Sequence, residues 1–489
     1  MGKSQPGGAK PGLFRAWKKS MPSRVRKPTS APAPSVAASS ATSERQVAFL
    51  PCCVKVIASY DTDSLCHQAA RHTGKKRRKH RVWEAFWSSA AAIAAAECGD
   101  TVTVAEKMDR VGKKILATGN GRCNLMNTGA PRYPGNAAFA ADVLSRCGAE
   151  EQKAFWEHLG LRLRQEEAGR VYPVSSQASS VLDALRLQLT ALHVRVVTGV
   201  SITALHREND GWTALSADGQ RFRANRVIIS GGGCAQPKLG SDGSALRLLT
   251  NLGCPATPFA PALTQIITDS TPIKGLSGIR VKAQVAVIDR KSVLHEEDGE
   301  LLFADYGVSG VCVMQCARYA KEGRMLRVSL VKGMGFADAG DFRRELHRRR
   351  RDWAQRPMTE MLTGLCVPRL SAALMRQADW GVRESSLCGQ MTADMAERLT
   401  KTADAWLLPI RGVKGFESAQ VASGGASVAD FDPATLQNRR LPGLYAAGEV
   451  LDVDGDCGGL NLMFAFGSGI LAGLDGRNAP WTHENAQKS

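Results

Sequence analysis

The chain has 489 residues, 44% of them hydrophobic and 22% charged, a globular composition with room for two or three cored domains. No apolar run approaches the length of a membrane span; residues 90–96 are mostly alanine and too few. The net charge of +18 excludes less than it suggests, because residues 1–82 hold 17 Lys+Arg against 3 Asp+Glu, leaving +14 in this arm and +4 in the remainder.

Residues 1–46 are rich in Pro, Ser, Ala, Lys and Arg and lack hydrophobic periodicity, so disorder is expected, and the composition also suits an organelle transit peptide. Residues 47–60 have strand character interrupted by Pro51. The run 74–81 (GKKRRKHR) is a solvated charge run, an RNA or polyanion contact, or a nuclear signal. Small residues dominate 88–98, as in a helix packed tightly on a sheet, and Gly99 fits its C-terminal cap. Residues 101–106 then alternate as a strand. Glu106 ends it, where an acidic side chain accepts hydrogen bonds from ribose hydroxyls. The following stretch, with Lys107, Gly112, Lys113, Lys114, Thr118, Gly119, Arg122 and Asn124, offers backbone N–H groups, lysines and an arginine beside a pyrophosphate, or is a solvated basic loop.

Residues 137–192 read as mainly helical, with 170–173 an extended link. Residues 194–205 and 212–222 alternate like antiparallel strands, with Asp218-Gly219 as a turn. Val227, Ile228 and Ile229 form a buried strand leading to Gly231, Gly232 and Gly233. Residues 261–335 have strand character, 336–404 are helical and charged, and both read as insertions into a domain that resumes near Lys414. In 441–473, Leu444, Tyr445 and Ala446 end a short strand and Gly448 breaks it. Asp454, Gly455, Asp456, Gly458 and Gly459 make an acidic, glycine-rich turn, and a helix of small residues begins at Asn461. Strand, glycine loop and helix N-terminus together suit a phosphate-bearing cofactor. The thirteen cysteines show no paired CxxC spacing and read as reduced thiols of a cytosolic protein; neither a metal cluster nor a Ser/His/Asp triad is discernible, and the nine histidines are scattered.

Glu106-Lys107, GKKILATGNGRCNLMN and AGEVLDVDGDCGGLNL, with VIISGGG, PKLGS and LLFADYGVSG between them, resemble the HI0933-like family of FAD-dependent oxidoreductases over about residues 88–475. That family includes bile-acid-reductase-like and ribosomal-dihydrouridine-forming flavoproteins. The resemblance implies an α/β chain: a Rossmann-like, glutathione-reductase-like FAD-binding domain (88–260 and 414–480) with an inserted β-rich domain (261–335 and 405–413) and an inserted helical domain (336–404). It implies FAD as cofactor and NAD(P)H as electron donor. Glu106 would meet the adenosine ribose and the backbone at Val200 the adenine, although Val200 reads equally as a core valine. Gly448, Glu449, Gly458, Gly459, Asn461 and Leu462 would approach the ribityl chain and flavin ring. Arg122 and Asn124 would stabilise reduced flavin or orient substrate. Cys123 is a redox partner, a general acid or a packing residue. No catalytic residue is assigned. Activated double bonds, in enones or uracil, are the implied substrates, and no membrane partner is expected.

The chain departs from the family at its start. Counting back from Glu106 puts the fingerprint glycines at 83, 85 and 88, where this chain has Trp83, Ala85 and Ser88. No apolar strand is legible before them, so residues 1–87 read as foreign to the fold and FAD affinity is in question. The alternative function is a flavoprotein-fold remnant that binds RNA through its basic arm.

Overall fold

A computed structural model describes residues 80–83, 86–381 and 385–481. Five parallel strands form the central sheet, in the order Leu444–Ala446, Arg226–Ile229, His80–Trp83, Thr101–Glu106, Arg195–Thr198. The first strand expected to be missing is present: Val82 pairs with Val227 on one side and Thr103 on the other. A strand flanked by basic residues shows no hydrophobic period, and only its two neighbours reveal it. The expectation that the fold starts at residue 88 is corrected accordingly, while the segment 47–60 lies outside the described residues.

Helix Phe86–Glu97 returns the chain from the first strand to the second, as parallel pairing requires. Ala90 to Ala95 are fully buried in it, because helix Leu460–Leu474 lies almost backbone-to-backbone against it. A Cβ on Gly473 would fall 2.4 Å from the Ala91 carbonyl oxygen and 2.8 Å from the Ala94 Cβ. Gly99 closes the shorter helix at φ +85°.

The expected antiparallel stretch 194–205 is two elements. Arg195–Thr198 joins the parallel sheet beside Thr101–Glu106, Gly199 turns the chain at φ +73°, and Ile202–Glu208 enters a separate antiparallel sheet with Gly211–Ser216 and Arg221–Ala224. The stretch 137–192 holds three helices, Ala137–Leu144, Ala149–His158 and Ala178–Ala191, with short strands Leu163–Gln165 and Arg170–Pro173 between the second and third.

Between residues 266 and 413 six strands close into a barrel, in the order Ile266–Thr268, Gly307–Ser309, Ser292–Ala304, Arg280–Asp289, Met325–Ser329, Trp406–Val413. Three α-helices, Ala339–Asp352, Pro368–Gln377 and Ala393–Asp404, are inserted before its last strand. Phe303 and Trp406 from the barrel share one continuous core with Phe342, Leu346, Leu374 and Leu399 from these helices. The β-rich and helical insertions are therefore a single packed unit.

Candidate active site

Parallel strands release their loops at one edge of a sheet, where ligands are commonly bound. Here Glu106 is 1% exposed at the end of its strand; Oε1 accepts the Met108 N–H at 2.7 Å, and its carbonyl accepts the Val200 N–H at 3.1 Å. Val200 is thus buried directly beside Glu106. Lys107 pairs with Asp242 at 3.0 Å. Gly112 turns the chain at φ +81°, and Lys113 pairs with Asp109. Lys114 Nζ reaches Glu449 Oε2 at 2.8 Å and Ser241 Oγ at 3.3 Å, joining segments 335 residues apart. Glu449 also accepts the N–H groups of Gly233 (3.2 Å) and Ala422 (2.8 Å). Gly448 has φ +74°, and its N–H donates to Ser468 Oγ at 2.9 Å.

The second seam lies further along the same two segments. Thr118 Oγ1 donates to the Ile115 carbonyl at 2.6 Å, and Gly119 and Asn120 both take left-handed backbone. Arg122 pairs with Glu166 at 2.6 Å and lies over the Tyr172 ring at 4.1 Å. Lys113, Lys114 and Arg122, expected beside a pyrophosphate, are thus each engaged by a protein carboxylate. Cys123 is fully buried, and burial pushes its thiol up to about 12 against the opposing Thr118 hydrogen bond. Such a thiol stays protonated at neutral pH, which favours the packing role over a thiolate redox partner. Asn124 Oδ1 accepts the Val171 N–H at 3.2 Å. A Cβ on Gly459, the N-cap of the 460–474 helix, would fall 2.8 Å from that same Oδ1 and 2.6 Å from the Met126 carbonyl oxygen. Asn127 donates to the Gly458 carbonyl at 2.9 Å. Gly459 is required because protein backbone approaches it, and Gly458 because its φ of +130° is a conformation that other residues rarely adopt. Asn461 closes the acidic turn on itself, accepting the Gly455 N–H at 2.8 Å and donating to its carbonyl at 2.7 Å, with half-buried Leu462 next to it.

Beside this seam, Asp454, Gly455 and Asp456 form one wall of a cleft whose other wall is His295 of the barrel with Met314, Arg318 and Tyr319 of the helix Val311–Cys316 and the turn after it. Pro134 and Leu263 add apolar surface. Arg318 pairs with Asp454, and Arg132 bridges Asp456 (2.7 Å) to Glu297 (3.0 Å). Burial raises the carboxyls of Asp454 and Asp456 above the usual range, against the pull of Arg318 and Arg132 respectively. His295 Nε2 lies 2.9 Å from Glu297 Oε1, and its ring stacks on Tyr319 at 4.6 Å and 16°. Sequence reasoning missed His295, Glu297, Arg318 and Arg132. The one available signal was His-x-Glu on a strand, which places both side chains on one face.

The described residues fit a dinucleotide cofactor. Glu106 ends one strand and Val200 follows its neighbour at one side of the sheet edge, the Gly448-Glu449 turn follows the strand at the other, and glycine and asparagine join the segments between them. Ser88 Oγ, fully buried in the first turn of helix Phe86–Glu97, has no hydrogen-bond partner, as fits a group placed to meet a ligand at a helix N-terminus. Residues 84 and 85 of the preceding loop lie outside the described residues. Among the described residues no helix is long and apolar enough to cross a membrane, and no group of His, Cys, Asp and Glu is arranged for a metal ion.

A family model described as the HI0933-like protein Rossmann domain matches residues 89–475. A 3-dehydro-bile acid delta(4,6)-reductase of Clostridium scindens is 37% identical over 401 residues, covering 80% of this chain and 96% of that protein. A ribosomal RNA dihydrouridine synthase of Escherichia coli is 25% identical over 391 residues, covering 78% and 93%. Its Haemophilus influenzae counterpart is 22% identical over 387 residues, covering 78% and 93%.

Proposed function

The chain belongs to the HI0933-like family, and from that premise we propose that it is an FAD-dependent oxidoreductase that reduces the activated double bond of an enone, with NAD(P)H as electron donor. The observation that carries the reading is the pair of seams joining the Glu106–Asn127 and Gly448–Leu462 segments at one edge of the parallel sheet, through Lys114–Glu449 and through Asn124 and Asn127 against Gly459 and Gly458. The enone is preferred to uracil because the relative at 37% identity is named for a bile acid, whereas the RNA-modifying relatives are at 22–25%. The chain outside the arm carries only +4, a weak footprint for RNA.

When bound, FAD supplies two-electron hydride chemistry, and the protein supplies position and electrostatics. Glu106 and the Val200 backbone would hold the adenosine end. The Gly448-Glu449 turn and the helix N-terminus at Gly459, Asn461 and Leu462 would hold the ribityl and ring end. Lys114 fixes Glu449, and Asn127 fixes Gly458. Pro134, Ala262, Leu263 and Met314 offer apolar contact to a hydrocarbon substrate in a cleft otherwise lined by polar and charged side chains. The ten described cysteines are free, which fits a reducing compartment such as the cytosol.

The test is the purified full chain. Visible absorbance of an oxidised flavin, bleached anaerobically by NADH or NADPH and restored by a 3-oxo-Δ4 steroid, supports the reading. A colourless chain that takes up no added FAD sinks it. Salt-sensitive RNA binding by that colourless chain, lost on removal of residues 1–79, would favour the RNA-binding alternative.

A further inference from the structure

Adding hydride to the β-carbon of an enone leaves a proton to be supplied at the α-carbon, so the substrate site needs an acid. The Asp454–Gly455–Asp456 wall of the cleft belongs to the turn that Asn461 ties to the cofactor helix, so substrate there lies next to the proposed flavin cradle. A second observation points to a ligand in this cleft. Asp454, with a side chain 6% exposed, directs one oxygen at Arg318 and leaves Oδ1 buried with no partner. A buried oxygen without a protein partner is met by a bound molecule or by water, and this one lies in the wall of the cleft.

Opposite, in the barrel wall, stands His295. A carboxylate only accepts, so the hydrogen between His295 Nε2 and Glu297 Oε1 belongs to the imidazole. Nδ1 makes no hydrogen bond among the described residues and is the atom left to release a proton. The ring is held on two sides, by the Tyr319 stack and by Glu297, which Arg132 in turn anchors to Asp456. Carboxylate, oriented imidazole and open nitrogen make the arrangement of a general acid. The charged groups around it are Glu297 on its own strand, Arg318 just beyond the helix Val311–Cys316, and Arg132, Asp454 and Asp456 from the nucleotide-binding domain; the neighbouring barrel strand places Val287 opposite it.

We infer that His295 is the proton donor of the reaction, positioned by Glu297. This rests on the oxidoreductase reading above. In the step, the substrate C=C π bond breaks, the β-carbon receives hydride and the α-carbon takes the proton from His295 Nδ1. The product is the saturated ketone, and the imidazole, left neutral, regains a proton from water at the cleft mouth.

The test compares the full chain with His295→Gln and Glu297→Gln by anaerobic stopped-flow, mixing chemically reduced enzyme with a 3-oxo-Δ4 steroid. His295→Gln should slow flavin reoxidation by at least about 100-fold, the lower range of general-acid effects, and remove the decline of the rate with rising pH. Glu297→Gln should retain that decline and slow the rate less. As a readout independent of turnover, 4-nitrophenol, a mimic of the enolate oxygen, should shift the His295 imidazole proton resonances of the parent chain. Unchanged rate and pH profile in His295→Gln, or bound nitrophenol with unmoved His295 resonances, overturns the assignment alone. A parent chain that carries flavin but does not reduce the enone overturns the substrate reading and the assignment together.

Discussion

At the scale of single residues, Glu449 has the most to lose. Its carboxylate takes Lys114 and two backbone N–H groups, and both partners of the ion pair are only about one-seventh exposed, at 13% and 14%. Removing one partner of a mostly buried pair leaves the other charge uncompensated, which costs about 3–5 kcal/mol. Glu449→Ala should lower the stability of the chain by that amount, and Glu449→Gln, which also leaves Lys114 uncompensated but keeps an acceptor for one of the two N–H groups, by about 1 kcal/mol less. Urea denaturation midpoints measure both; a Glu449→Ala midpoint equal to the parent's would mean that the Lys114 link carries no load. The buried thiols set a second residue-scale expectation. Burial pushes Cys123 up to about 12 and Cys312 and Cys366 up to about 11, each above the 9.0 of a free thiol. A raised folded value means the unfolded chain gives up its protons first. The stability these thiols contribute is present below pH 9.0 and is lost as pH rises towards 11–12. Each contributes a slope of up to about 1.4 kcal/mol per pH unit in that window. Cys123→Ala should flatten the loss of stability between pH 9 and pH 11, and an unchanged slope would remove Cys123 from the account.

At the scale of elements, helix Leu460–Leu474 is fixed by what it lacks. Every residue from Met463 to Leu474 is buried, and Gly473 lets the helix reach the backbone of Phe86–Glu97. Gly473→Ala places a methyl group where the Ala91 carbonyl oxygen and the Ala94 side chain already are. Overpacking of this kind costs about 1–3 kcal/mol, at the upper end where the new Cβ falls 2.4 Å from a backbone oxygen, and this exceeds the roughly 1 kcal/mol that alanine gains over glycine in a helix, so the melting temperature should fall despite the better helix former. A rise would show that the two helices have room to separate. The same elements show what was legible in the sequence. The strand 101–106 and the small-residue helices could be read because their periodicity and composition are local properties. The split at Gly199 was missed because two short strands separated by only three residues, Gly199 to Ser201, have the same alternation as one longer strand. The His295-Glu297 dyad was missed because its meaning depends on facing Asp456 across a cleft, and nothing in the strand itself records that. Barrel closure is of the same kind, since it depends on Ile266–Thr268 pairing with Trp406–Val413, about 140 residues away.

At the scale of the whole molecule, the sequence announces two motif segments and hides what supports them. The order of the central sheet puts His80–Trp83 in the middle, hydrogen-bonded to Arg226–Ile229 on one side and Thr101–Glu106 on the other. Its register was illegible because the strand has only four residues and follows a basic run, so neither hydrophobic alternation nor a glycine fingerprint marks it. The consequence separates two truncations that differ by eight residues. Removal of residues 1–79 takes away most of the arm's charge and leaves the described sheet whole, so the shortened chain should fold and melt cooperatively near the temperature of the full chain. Removal of residues 1–87 deletes the middle strand and exposes the hydrogen-bonding edges of both neighbours, each buried and apolar, and unpaired edges of that kind template aggregation. That chain should be insoluble or lack a cooperative transition. Circular dichroism melts and gel filtration of the two truncations decide the matter: if both behave alike, the strand at His80–Trp83 is dispensable and the fold begins at residue 88 after all.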